Sequence, residues 1–128
     1  MDKKKILIVD DEKEMVEMEA MRLEASGYRV LTAYDGESGL EMARKEDPDI
    51  ILLDIMLPKI DGYLVCAKLK RDSRYSNIPI ILVTAVDHNY DPDLGNKVGA
   101  DFYIMKPFEP KMLLAKIKEL IKRSSRKS

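Results

Sequence analysis

Five short apolar runs alternate along this chain with longer stretches in which apolar residues recur every three or four positions. The runs are Lys5-Ile-Leu-Ile-Val9, Arg29 to Ala33, Ile50-Ile-Leu-Leu-Asp54, Pro79-Ile-Ile-Leu-Val83 and Phe102 to Met105. Each is too short for a stable helix and rich in β-branched or aromatic residues, which predicts a strand. The run ending in Asp54 is apolar throughout, as expected of a strand buried on both faces.

The intervening stretches carry a helical period. From Lys13 to Ser26, Val16, Ala20 and Leu23 fall at i, i+4 and i+7 with Met15 and Met18 flanking, and Gly27 stops the helix. Glu19 and its acidic neighbours form the solvated side. Asp35-Gly36 turns the chain into a helix from Glu37 to Glu46 with Leu40 and Ala43 inward, and Asp47-Pro48-Asp49 breaks it. Val65, Cys66 and Leu69 mark a third helix ending near Arg71. Glu109 to Ile121 forms the last, with Leu113, Leu114, Ile117, Leu120 and Ile121 inward. The stretch from Asp87 to Val98 is interrupted by Pro92 and Gly95 and predicts only a short, weak helix, with His88 and Asn89 in a surface loop.

Strand and helix therefore alternate, which requires a parallel sheet covered on both faces with right-handed crossovers. The expected fold class is α/β: a flavodoxin-like, doubly wound five-stranded parallel sheet with five helices. Residues 1–122 form one domain, and 123–128 are a frayed polar tail. A chain of 128 residues can bury a single core, and its net charge of -1 provides no field for nucleic acid or an anionic membrane. The lone Cys66 excludes an internal disulfide and packs as a small apolar residue. Without a signal-like or membrane-spanning segment, the expected setting is the cytoplasm.

The chemistry lies where the strands end. Asp10 and Asp11 follow the first strand, Asp54 ends the third, Thr84 the fourth and Lys106 the fifth. Ligands of parallel sheets bind outside the carboxyl ends, where the strand order reverses. With the order 2-1-3-4-5 that point lies between strands one and three, so Asp10, Asp11 and Asp54 share a cleft. Three carboxylates together demand a cation. All-oxygen donors select Mg²⁺ first and Mn²⁺ second, with Asp11 and Asp54 as direct ligands and Asp10 direct or through water. Asp54 is then a nucleophile for a phosphoryl group, with charge supplied by the metal and Lys106 and a hydrogen bond by Thr84.

These residues sit in Ile-Leu-Ile-Val-Asp10-Asp11-Glu12, Leu-Leu-Asp54-Ile-Met-Leu-Pro58 with Asp61-Gly62, Val-Thr84-Ala85, Gly99-Ala100-Asp101 and Lys106-Pro107-Phe108. Over nearly its whole length the sequence resembles a response-regulator receiver domain of two-component signalling. The resemblance implies that a sensor histidine kinase or phosphotransfer protein phosphorylates Asp54, that the Met56 carbonyl helps bind the metal, and that Lys106-Pro107 is cis. It further implies that Thr84 and Tyr103 are switch residues, and that signal leaves for a downstream protein target through the fourth helix, fifth strand and fifth helix. That face also suits a phosphorylation-dependent homodimer. Met56 and Val86, both apolar at the positions that influence hydrolysis in this family, imply slow self-dephosphorylation, so the protein is a switch and not an enzyme acting on other substrates.

Two readings compete with this one. An aspartate-nucleophile phosphatase would want Asp-x-Asp after the first strand and a substrate cap. A flavodoxin-like cofactor-binding module would want a phosphate loop rich in Ser, Thr and Gly, where this chain has Asp-Asp-Glu.

Overall fold

A computed structural model of the protein describes residues 3–85 and 90–127, with side chains through Ser124. Val86, His88 and Asn89, which the sequence assigns to a lifetime position and a loop, lie outside the described residues. Strands β1 (Lys5–Val9), β2 (Arg29–Ala33), β3 (Ile50–Asp54), β4 (Ile80–Ala85) and β5 (Phe102–Lys106) alternate with helices α1 (Lys13–Ala25), α2 (Gly36–Glu46), α3 (Gly62–Lys70), α4 (Pro92–Lys97) and α5 (Pro110–Lys127). All strand pairs are parallel and the order is β2-β1-β3-β4-β5, as expected.

Two cores follow from the two-residue period of the strands. Ile6, Ile8, Ile50, Leu52, Ile81 and Val83 face Val16 and Leu23 of α1 and Leu113, Ile117 and Leu120 of α5. Leu7, Val9, Ile51, Leu53, Ile80 and Leu82 face the other way, onto Leu40 and Ala43 of α2 and Val65, Cys66 and Leu69 of α3. Burying each such Leu or Ile stabilises the fold by roughly 1.5–3 kcal/mol, so the central strands are the rigid platform of the molecule. Ala20 and Leu114, expected inside, are half-buried at the margins of the second core. Cys66 is buried as expected, its thiol 3.5 Å from the Val98 carbonyl and its pKa pushed up to about 12 by burial.

Local caps explain several boundaries. Asp35 and Asp61 accept hydrogen bonds from Ser38 N (2.7 Å) and Leu64 N (2.9 Å), starting α2 and α3. Gly27 ends α1 with φ +98°, a left-handed conformation that a side chain would strain.

Two helices differ from expectation. Pro92 does not interrupt α4 but opens it, because a proline at the first helical position lacks only an N–H that would have no partner there. Asp91 caps the same end through Asp93 N and Leu94 N. The helix is nonetheless only six residues long. At the other end of the chain, α5 runs through Lys127, past the expected stop at Ile121. No Gly or Pro follows Pro110, and the Lys and Arg residues favour helix. Ser124 Oγ also ties α5 down by donating to the Asn77 carbonyl at 2.9 Å. Among the described residues, no helix is long and apolar enough to cross a membrane.

Candidate functional site

The register aligns Val9 of β1 with Leu53 of β3, so the residues that follow them, Asp10 and Asp54, emerge side by side at the carboxyl edge. With Thr84 they are the buried polar residues of the sheet. Each aspartate is fixed in the same way: Asp10 Oδ1 accepts from Glu12 N and Asp54 Oδ1 accepts from Met56 N, both at 3.0 Å. That leaves Oδ2 of each carboxylate facing the cleft. The Lys106 ammonium lies between them, 2.8 Å from Asp10 Oδ2 and 3.2 Å from Asp54 Oδ2.

The loop after Asp54 is held close to the strand end. Ile55 N donates to the Val83 carbonyl at 3.0 Å and Gly62 N to the Ile55 carbonyl at 2.9 Å. A Cβ on Gly62 would collide with the Asp54 carbonyl, so only glycine lets α3 begin so near the cleft.

Electrostatics follow from this packing. Burial first, and then the Asp10 charge, push the Asp54 pKa up to about 6, against the opposing pull of Lys106 and the Met56 N–H. Burial alone would lower the Lys106 pKa, but the Asp10 hydrogen bond and the surrounding carboxylates outweigh it, so the lysine stays charged with a raised pKa. The cleft therefore holds an excess of negative charge around one fixed cation.

Not every expected residue lies where the sequence argument put it. Asp10, Asp54 and Lys106 converge, and Thr84 is buried near the end of β4. Asp11 is exposed at the rim, and the third carboxylate beside Asp10 and Asp54 is Glu12, with ligand oxygens of the three within 4.8 Å of one another. The reason is that β1 ends at Val9, so the alternation of side chains along a strand no longer fixes which of the following carboxylates reaches the cleft. The signal for Glu12 in the sequence was a third acidic residue directly after Asp10 and Asp11. The Met56 side chain is exposed, and only its backbone N–H contacts Asp54. Thr84 Oγ1 lies 3.4 Å from the Ala85 carbonyl, a long bond that is readily exchanged. Tyr103 is 43% exposed on the outer face of β5, its ring stacked at 4.1 Å on Tyr90. Lys106-Pro107 is cis, as the resemblance implied.

A doubly wound parallel sheet with an acidic cleft and a fixed lysine at its switch point defines a carboxylate-centred phosphoacceptor class. Residues 6–118 match the response regulator receiver domain family, and the chain belongs to that family, the receiver modules of two-component signal transduction. It is 47% identical over 121 residues to the alkaline phosphatase synthesis transcriptional regulatory protein PhoP of Bacillus subtilis, covering 94% of this chain and 50% of that one. It is 41% identical over 122 residues to the DNA-binding dual master transcriptional regulator RpaA of Synechocystis, covering 95% and 51% respectively. The chain thus spans about half the length of the curated relatives it matches. A solved CheY-like receiver domain from Methanospirillum hungatei superposes with a TM-score of 0.91 at 32% identity, covering 99% of this chain and all of that one.

Proposed function

We propose that Asp54 is the phosphoacceptor and that its Oδ2 attacks the phosphorus of a phosphohistidine on a sensor histidine kinase or phosphotransfer protein. The O–P bond forms as the donor's P–N bond breaks, and the product is an acyl phosphate. The observation that carries this reading is the pairing of a buried, backbone-anchored carboxylate with a lysine 3.2 Å away. Lys106 neutralises charge on the transferring oxygens without moving far. Thr84, whose hydroxyl is held by one long bond, turns to donate to a phosphoryl oxygen.

The donor set fits a hard divalent cation, since Asp10 and Asp54 bring carboxylate oxygens close together in the cleft. Asp10 and Asp54 would hold Mg²⁺, or Mn²⁺, with rim-exposed Asp11 and the Met56 carbonyl as further oxygen ligands. Bound there, the ion supplies positive charge opposite Lys106 and keeps Asp54 ionised at neutral pH.

The donor approaches through a groove of about 1000 Å³ between α1 and the β5–α5 loop, lined by Met15, Met18, Pro107 and Phe108 and opening beside Lys106. Signal leaves through α4, β5 and α5, where Tyr103 exchanges its stacked outward position for an inward one and a downstream protein or a second copy docks. DNA contact is not assigned to this domain, and the setting is the cytoplasm where such kinases present their donors. Slow hydrolysis follows from Met56 and Val86, neither of which can orient a water.

Acetyl phosphate with Mg²⁺ tests the reading by intact mass. The protein gains one phosphoryl group, Asp54→Asn gains none, and chelation of the metal prevents the gain. An unmodified wild type would overturn it.

A further inference from the structure

Lys106 donates to three carboxylates, and they are not equivalent. The side chains of Asp10 and Asp54 are 9% and 8% exposed, whereas Glu12, 3.2 Å from Nζ, is 56% exposed. Glu12 is also the residue preceding α1, where a side chain ordinarily caps the first turn. It makes no capping hydrogen bond. Its carboxylate is committed across the cleft to Lys106 instead.

We propose that Glu12 is a positioning residue that anchors Lys106 before phosphorylation and, from the mouth of the cleft, disfavours small anionic phosphodonors relative to a protein-borne phosphohistidine. This rests on the phosphoacceptor reading above.

An ammonium has three N–H donors, and the three carboxylates occupy them all. A phosphoryl oxygen that needs Lys106 must therefore displace one partner. Asp10 is buried and holds the shortest bond, and Asp54 is the group being modified. Glu12 is solvent-facing and loses least on release, because water rehydrates it immediately. It lines both the edge of the cleft and the groove through which a donor enters. A free dianionic donor that displaces Glu12 from Lys106 leaves that carboxylate as an unpaired charge beside it. A donor presented on a protein brings its own surface to the rim, so the repulsion is balanced by contacts elsewhere.

The test compares Glu12→Gln with Glu14→Gln, which removes the same charge from the exposed first turn of α1 but is not a partner of Lys106. Two quantities are read: the rate with acetyl phosphate across ionic strength, and the NMR order parameter of the Lys106 side chain. In Glu12→Gln the rate at low salt rises about fivefold and converges on wild type at high salt, as expected for removal of one repulsive charge. Lys106 becomes more mobile in that variant alone, while Glu14→Gln stays within about twofold of wild type. Identical behaviour of the two variants, or an unloosened Lys106, overturns the proposal. So does a loss of Mg²⁺ affinity in Glu12→Gln, which would make Glu12 a metal ligand. If wild type takes up no phosphoryl group, the phosphoacceptor reading fails by itself, and the Lys106 order parameter still decides whether Glu12 anchors it.

Discussion

The carboxyl end of β3 and the outer face of β5 are neighbouring parts of one sheet built on opposite principles. At the β3 end, Asp54 is buried, bonded to a backbone N–H and paired with a half-buried lysine. On β5, Tyr103 and Met105 are each 43% exposed, because the six-residue α4 is too short to cover them. Tyr90 partly takes its place, stacking on Tyr103 while its hydroxyl fills the space over Gly95. Tyr63 extends the contact, its ring 6.2 Å from Tyr90 and its hydroxyl accepting from Asp91 N at 3.1 Å. The first region fixes reacting groups in place, and the second leaves side chains free to change partners. A switch needs both, since a chemical change at a rigid point has effect only where a nearby surface can rearrange.

Substitutions in the two regions should separate them. Leu82→Ala, at a fully buried position of β4, is expected to cost about 3–4 kcal/mol in urea unfolding, whereas Met105→Ala on the neighbouring strand costs under about 1 kcal/mol. Equal losses would mean that β5 is as tightly packed as the centre. Lys106→Met removes the cation shared by Asp10 and Asp54 and should cost about 3 kcal/mol at pH 7, with a smaller loss below pH 6, where Asp54 takes up a proton.

Asp54→Asn should act in the opposite direction. A carboxyl whose pKa is raised to about 6 in the folded state stabilises the fold below its ordinary value near 3.8, and loses that contribution as pH rises through 6. Metal-free protein at pH 7 therefore carries the cost of a buried charge, and Asp54→Asn should be more stable by about 1–2 kcal/mol, the gain vanishing by pH 4. A gain independent of pH would mean that Asp54 is not strained by burial.

The fold was legible because its signal is redundant: five apolar runs, four of them ending at a polar residue, allow few arrangements. Asp10, Asp54, Thr84 and Lys106 were legible for the same reason, since a strand end specifies a position in space. Where the chain leaves the strand, position depends on side-chain reach and competing partners. Asp11 was therefore expected inside and lies at the rim, while Glu12, passed over in the sequence, bonds Lys106. Pro92 was ambiguous because the same residue breaks a helix from within and starts one at its first position. The end of α5 depends on Ser124 meeting Asn77, a contact between residues far apart in sequence.

Borohydride trapping of the phosphorylated protein tests the central claim most directly, because it reduces an acyl phosphate where it stands. After acetyl phosphate and Mg²⁺, peptide mass spectrometry should find homoserine at position 54 and aspartate unchanged at positions 10 and 11. Homoserine at either of those positions, or at none, would contradict the assignment of Asp54 as the acceptor.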